Sequence, residues 1–281
     1  MGTGDTGMGT GDTGRGSGDT GREAVRLSPR LTAIADMVSR GTTICDVGCD
    51  HAHIPIYLLQ EGRIRGALGM DVIPGPLQKA RENLERYGYG SLTALRMSDG
   101  LDAYVPGEAE SLVIAGMGGR IMRKILLREP GKTKSFRELI LQPQADPEQV
   151  RMALQELGFV IDGERMLRER NKYYVVMHAV PAVPAAEGDP ACGMTEAELR
   201  FGPVLLRRRD PVLKSFLQWR LSVQDRILAS VAAGGADAAK NGAAQSESAQ
   251  NEAALSALEE AARKAEAGKA LILEALRVYE G

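Results

Sequence analysis

Short β-branched runs alternating with amphipathic stretches predict a doubly wound α/β fold with a mostly parallel sheet. Three observations carry that reading. The alternation continues through five strand–helix units before a closing pair of strands. An aspartate closes or follows each of the first three strands, at Asp46 and Asp50, Asp71 and Asp99. The alternation stops at Pro181, after which apolar residues recur only at helical spacing.

The elements follow in order. Residues 1–22 repeat Gly-Thr-Gly-Asp-Thr-Gly with variations, have nothing to bury, and are expected to be a disordered low-complexity tail. Ser28-Pro29 caps and opens a helix with Leu31, Ile34, Ala35 and Val38 on one face, ended by Gly41. Thr43 to Val47 is a buried strand and Ile54 to Glu61 a short helix. Gly66 to Met70 is the second strand, and Pro76 to Tyr87 a helix closed by Gly88. Leu92 to Arg96 is the third strand and Ser111 to Ala115 the fourth, the latter running into Gly116-Met-Gly-Gly119 and a helix to Arg128. Glu138 to Leu141 is the fifth, ending in a turn at Gln142-Pro-Gln144, followed by a helix over Pro147 to Leu157. Phe159 to Leu167 and Lys172 to Val180 close the sheet as an antiparallel pair, giving seven strands with one antiparallel edge strand. The α/β domain is expected over 23–185 and a helical hairpin over 186–281, with a flexible loop near 232–251. Such a hairpin could pack only on itself or contact a substrate.

Composition excludes several classes. The chain of 281 residues is 43% hydrophobic, enough for one substantial domain and a smaller one. No apolar run approaches the roughly 20 residues of a membrane helix. Nothing at the N-terminus has the apolar h-region of a signal peptide. Three cysteines, Cys45, Cys49 and Cys192, make no disulfide framework, so a reducing cytoplasm is expected. A net charge of −2 gives no global case for binding nucleic acid. Local runs do: Arg120, Arg123, Lys124, Arg128, Lys132, Lys134 and Arg137 form one, and Arg207, Arg208, Arg209, Lys214 and Arg220 another.

Doubly wound sheets bind ligands at the carboxyl ends of their strands, where the strand order reverses. After the first strand stands Gly48-Cys-Asp-His-Ala-His53, with one glycine and a carboxylate where a dinucleotide fingerprint would carry more glycines. Each aspartate alone reads as a turn or cap. Together they fit a nucleoside cofactor without a pyrophosphate, Asp71 accepting from ribose hydroxyls and Asp99 from the adenine amine. S-adenosylmethionine, with its sulfonium and ammonium, suits a carboxylate-lined loop. The cofactor candidates are Asp46, Gly48, Asp50, His51, Asp71, Asp99, Gly100 and Gly116. A flat base could slide against Met117, Gly118, Gly119 and Arg120, and the amides of Gln142 and Gln144, set by Pro143, could read its edge. Cys45, Cys49, His51 and His53 are poorly placed to surround one ion, because Cys45 lies inside a strand, so no metal is expected.

At these residues the sequence resembles the bacterial tRNA (adenine(22)-N(1))-methyltransferase family. The matching segments are Leu27-Ser-Pro-Arg-Leu31, Asp46-Val-Gly-Cys-Asp-His-Ala-His-Ile-Pro55, Gly75-Pro76, Asp99-Gly-Leu101, Ile114-Ala-Gly-Met-Gly-Gly119 and Leu139-Ile-Leu-Gln-Pro143. Cys49 stands where a serine is familiar, His53 for an aromatic, Gln144 for an asparagine and Asp71 for a glutamate. The resemblance implies a class I methyltransferase domain of Rossmann-like type with a coiled-coil-like C-terminal domain. It further implies S-adenosyl-L-methionine as cofactor and tRNA as partner, with no membrane and no obligate protein partner. Asp50 is the candidate catalytic residue, either accepting a proton from the methylated base or holding the cofactor's ammonium. A small-molecule methyltransferase and a non-catalytic RNA-binding protein are the competing readings.

Overall fold

The computed structural model describes residues 24–183, 193–242 and 249–280. The repeats over 1–22 lie outside the described residues, as do Cys192 and most of the stretch between the sheet and the C-terminal helices.

The chain enters through α1 (Pro29–Met37), whose first amides are met by the Ser28 hydroxyl, which accepts from the Leu31 amide at 3.4 Å. It continues as β1 (Thr42–Val47), α2 (His53–Gln60), β2 (Ile64–Asp71), α3 (Pro74–Tyr87), a 3-10 turn at Gly90–Leu92 and β3 (Thr93–Met97). Then come β4 (Ser111–Gly118), α4 (Gly119–Arg128), α5 (Pro130–Thr133), β5 (Glu138–Ala145), α6 (Pro147–Leu157), β6 (Phe159–Glu169) and β7 (Lys172–Pro181). Four helices follow: α7 (Glu196–Phe201), α8 (Pro203–Arg207), α9 (Pro211–Gly242) and α10 (Ala249–Arg277). The short helices α5, α7 and α8 had no periodicity long enough to announce them.

The sheet runs β3-β2-β1-β4-β5-β7-β6, with the first five strands parallel. The antiparallel strand is β7, and it lies between β5 and β6 rather than at the edge. A tight two-residue turn at Arg170 and Asn171, both with positive φ (45° and 63°), folds β7 back inside. Two strands also outrun their sequence limits. Beyond their buried cores β4 and β5 pair with each other through Ala115↔Gln142, Met117↔Pro143 and Gly118↔Ala145, with register shifts at Met117. The expected turn at Gln142-Pro-Gln144 is therefore strand, its proline accommodated at the irregularity.

The expected loop over 232–251 is helix up to Gly242 and again from Ala249. The helices α9 and α10 are antiparallel, since Asp225 bonds Lys269 at 2.7 Å while the Tyr279 hydroxyl bonds the Asp210 carbonyl at 2.9 Å. They do not pack only on themselves. Leu213, Leu217, Ile272 and Ala275 join one core with Phe201, Leu205, Val150, Leu157 and Val175. Beneath that joint lies a fully buried ion pair. Arg151 of α6 bonds Glu164 of β6 at 2.8 Å and donates to the Leu199 and Arg200 carbonyls at the end of α7. The other Glu164 oxygen accepts from the Val204 and Leu205 amides that open α8. Two helix termini are thus satisfied by one charge pair.

At the amino ends of the strands, His178 of β7 bridges Glu138 (2.8 Å) and Asp162 (2.5 Å), while Glu138 also accepts from Ser39 and Ser111. These bonds raise the His178 imidazole to about 9, and they hold Glu138 at about 2 against its burial. The protonated ring stabilises fully below its ordinary 6.5 and loses that contribution as pH rises through about 9. Thermal unfolding between pH 6.5 and 9.5 is therefore expected to show a falling Tm. His178→Gln should cost about 2 kcal/mol at pH 6.5 and flatten the slope; equal slopes in both proteins would remove His178 from this role.

Candidate active site

The strand order reverses between β1 and β4, and an open cleft of about 440 Å³ lies at their carboxyl ends. One wall comes from β1 and its following turn. Asp46 is 4% exposed, at the end of a strand hydrogen-bonded on both edges. Burial first, then Asp71 and Asp50, push its carboxyl up to about 7. Past it the Gly48 and Cys49 amides both donate to the Met70 carbonyl, at 2.7 and 3.1 Å, which folds the chain over β2. Gly48 has φ +75°, and a Cβ there would lie 2.4 Å from the Met117 Cε.

Asp50 and Ala52 also take positive φ, 48° and 57°, in non-glycine residues. Such backbone is costly and persists where surroundings fix it. Here the Ala52 amide bonds the Cys49 carbonyl, and Asn83 of α3 donates to the His51 carbonyl at 3.0 Å. The turn presents the exposed Asp50 carboxylate to the cleft, 3.5 Å from His51, whose ring stacks on His53. Asp71 closes the same side, one oxygen accepting from the Ile73 amide at 3.0 Å. The facing wall is the irregular end of β4: Ala115, Gly116 with φ +79° and open space around it, and Met117, with Gln144 beyond.

Eight expected residues thus line one cleft: Asp46, Gly48, Asp50, His51, Asp71, Gly116, Met117 and Gln144. Others do not. Asp99 is outside the lining and bound to Arg128 at 2.7 Å, which holds its carboxyl below the usual range. Gly100 lies outside the lining, and a Cβ there would sit 3.0 Å from the Ile125 side chain. Gln142 is fully buried, its oxygen accepting from Arg30 at 2.7 Å and its amide donating to the Pro143 carbonyl, so it reads no ligand edge. Pro143 is buried in the sheet, and Arg120 is exposed and bound to Asp146. Gly118 lies outside the lining, and Gly119 is glycine for packing, since a Cβ there would sit 2.0 Å from the Asp146 carbonyl oxygen. Cys45 is a core residue, its thiol pushed up by burial.

The cleft also contains residues the sequence had not singled out, among them Arg30, Ile54 and Ile73. Arg30 bonds Gln142 and lies 5.7 Å over the Tyr174 ring. Its segment, Leu27 to Leu31, matched the family pattern, which was the available signal. Ile73 is exposed beside Asp71 and offers an apolar face where a base could lie.

Residues 27–177 match the methyltransferase domain family. The chain is 32% identical over 197 residues to the Bacillus subtilis tRNA (adenine(22)-N(1))-methyltransferase, covering 69% of this chain and 81% of that protein. The crystal structure of the B. subtilis M1A22 tRNA methyltransferase TrmK superposes with a TM-score of 0.67 at 26% identity, over 87% of this chain and 99% of that one. A Streptococcus pneumoniae protein solved in complex with S-adenosyl-L-methionine gives a TM-score of 0.66 at 29% identity, over 84% of this chain and all of that one.

The two adjacent glycines should separate cleanly. Gly119→Ala drives a methyl into the Asp146 backbone and is expected to cost about 3 kcal/mol. Gly118→Ala meets open space at an ordinary φ of −66° and should change stability by less than about 0.5 kcal/mol. Denaturant titration of both variants checks the contrast.

Proposed function

The chain belongs to the tRNA (adenine(22)-N(1))-methyltransferase family, and on that premise we propose that the β1–β4 cleft transfers a methyl group from S-adenosyl-L-methionine to ring nitrogen 1 of adenine 22 in tRNA. The observation that supports this most is the pairing of the two walls. Three carboxylates face a glycine-bordered slot that carries an exposed amide, Gln144.

The residues present fit the cofactor. Asp46 lies at a buried site with its charge discouraged, a condition that a cationic group relieves. Asp71 has one oxygen not used by Ile73, and it can accept from a ribose hydroxyl. Gly116, with open space around it, lets a ligand approach the backbone, and Ile73 gives the adenine an apolar neighbour. Bound there, S-adenosylmethionine supplies a methyl group already activated by the sulfonium. Asp99 is paired with Arg128 at the surface and lies outside the lining of the cleft.

The protein's own work is then positioning and charge. Ring nitrogen 1 attacks through an in-plane lone pair, so the base must lie edge-on to the methyl, against Gly116 and Met117 with Gln144 at its rim. That edge is paired in a duplex, so the base has to be unpaired or flipped. Methylation leaves a positive charge on the ring unless the exocyclic amine loses a proton. Asp50, held in strained backbone at the mouth of the cleft, accepts that proton or stabilises that charge. The competing role, binding the cofactor's ammonium, falls to Asp46 in this arrangement. A tRNA substrate places the reaction in the cytoplasm.

Three measurements check this reading. Asp50→Asn should lower turnover by about 100-fold or more, with the Kd for S-adenosylmethionine changed by less than about three-fold. Equal losses in both would make Asp50 a cofactor ligand. Nucleoside mass spectrometry of the tRNA should locate the methyl group in the active protein. Because a cation favours ionised Asp46, affinity for S-adenosylmethionine should rise as pH passes through about 7. The Asp46→Asn variant should lose that dependence, as calorimetry at pH 6 and pH 8 would reveal.

A further inference from the structure

Aromatic residues make up only 4% of the chain, yet three meet where β7 approaches α9. Tyr173 packs edge-on to Phe216 at 5.2 Å and stacks with Trp219 at 5.9 Å, and the Phe216 and Trp219 rings are also 5.9 Å apart. The fully buried core residues of α9 are Leu213 and Leu217, with Phe216 and Leu221 packed partly against the same core, whereas Trp219 is 48% exposed. The chain's single tryptophan therefore spends half its surface on solvent in a cluster that does not need it for the core.

Two further features say what would cover it. The cluster neighbours the reaction cleft: a cavity of about 140 Å³ lined by Tyr173 and Phe216, though not by Trp219, shares Gln144 with the lining of the cleft. The surroundings are basic. Arg168 lies 5.6 Å over the Tyr173 ring, and Arg220 is partly desolvated beside Arg200. Glu148, 3.4 Å from Arg200, offsets one of these three charges. Flat rings with a half-open indole, bordered by guanidinium groups, are the chemistry of single-stranded nucleic acid binding, where bases stack and arginines face phosphates.

We propose that Tyr173, Phe216 and Trp219 form a stacking platform for an unpaired base of the substrate RNA, adjacent to the base held in the cleft. Arg168 and Arg220 face the intervening phosphates. The proposal rests on the methyltransferase reading above and names the surface through which that enzyme grips RNA near the reacting base.

The single tryptophan makes the test direct, because its emission reports this platform alone. Titration of the full chain with an unmodified tRNA transcript carrying adenine 22 should quench the emission saturably, while a fully paired RNA duplex of equal length should not. Trp219→Ala should raise KM for the transcript about ten-fold with the Kd for S-adenosylmethionine unmoved, and Trp219→Phe should restore most of the loss. Matching Tm values in the three proteins would confirm that the exposed position leaves the fold intact. The platform is refuted if the transcript binds by anisotropy and is methylated while emission stays constant, or if the alanine variant keeps the parent KM. Failure of the methyltransferase reading looks different: no methylated adenine and no transcript binding in any of the proteins, an outcome that removes the platform with it.

Discussion

A carboxylate on β1 can be tolerated only where the strand runs out, because both edges are hydrogen-bonded to parallel neighbours and both faces are covered. Asp46 occupies that end. Among the described residues no cation is paired with it, and burial together with Asp71 and Asp50 disfavours its charge. The neighbouring structure is arranged around this tension. The chain must leave β1 by a left-handed glycine, cross above β2, and turn twice through positive φ before α2 can begin. The order β2-β1-β4 brings Asp71 to one side of Asp46 and the Gly116–Met117 irregularity to the other. A concave, negatively lined site is the consequence, and a cationic ligand is what relaxes it.

The C-terminal helices belong to the same mechanical unit. Burying Arg151 and Glu164 without water would be costly if either lacked partners, and each has them in the other and in the helix termini of α7 and α8. That arrangement fixes where α9 starts and so where Phe216 and Trp219 lie against Tyr173. It also bears on charge. The basic run from Arg120 to Arg137 is largely answered inside the domain, with Arg120, Arg123, Arg128 and Lys132 bound to Asp146, Glu156, Asp99 and Glu129. Arg207, Arg208 and Arg209 are exposed and make no ion pair among the described residues. Lys124, Lys134 and Arg137 of the first run are likewise exposed without an ion pair among the described residues, so unpaired positive charge remains on both sides.

The parts of the site that were legible in sequence are those governed by local backbone chemistry. A left-handed turn after a buried strand requires a glycine at 48, and an aspartate at a strand end has few destinations, so Asp46, Asp50 and Asp71 could be placed in one cleft. Residues whose partners come from distant elements were not legible. Asp99 follows its strand as Asp71 does, yet Arg128 takes it. Gln142 and Gln144 are two residues apart on one strand, but Arg30 from α1 claims the oxygen of the first, while the second lines the cleft with its amide nitrogen donating to that same oxygen at 3.5 Å. Gly119 looked like ligand space and is close packing against Asp146.

The sequence by itself determined the alternation of elements, the parallel sheet, the carboxylate-rich turn after β1 and the resemblance to a tRNA methyltransferase family, because periodicity, caps and short turn motifs are local properties of the chain. Only the tertiary structure decided that β7 lies inside β6, that β4 and β5 extend past their apolar cores, which carboxylates stay unpaired, and that a tryptophan on α9 stands beside a tyrosine on β7. Those outcomes depend on which long-range partner reaches each group first, and the pairing energy that settles the contest exists only once the chain has closed.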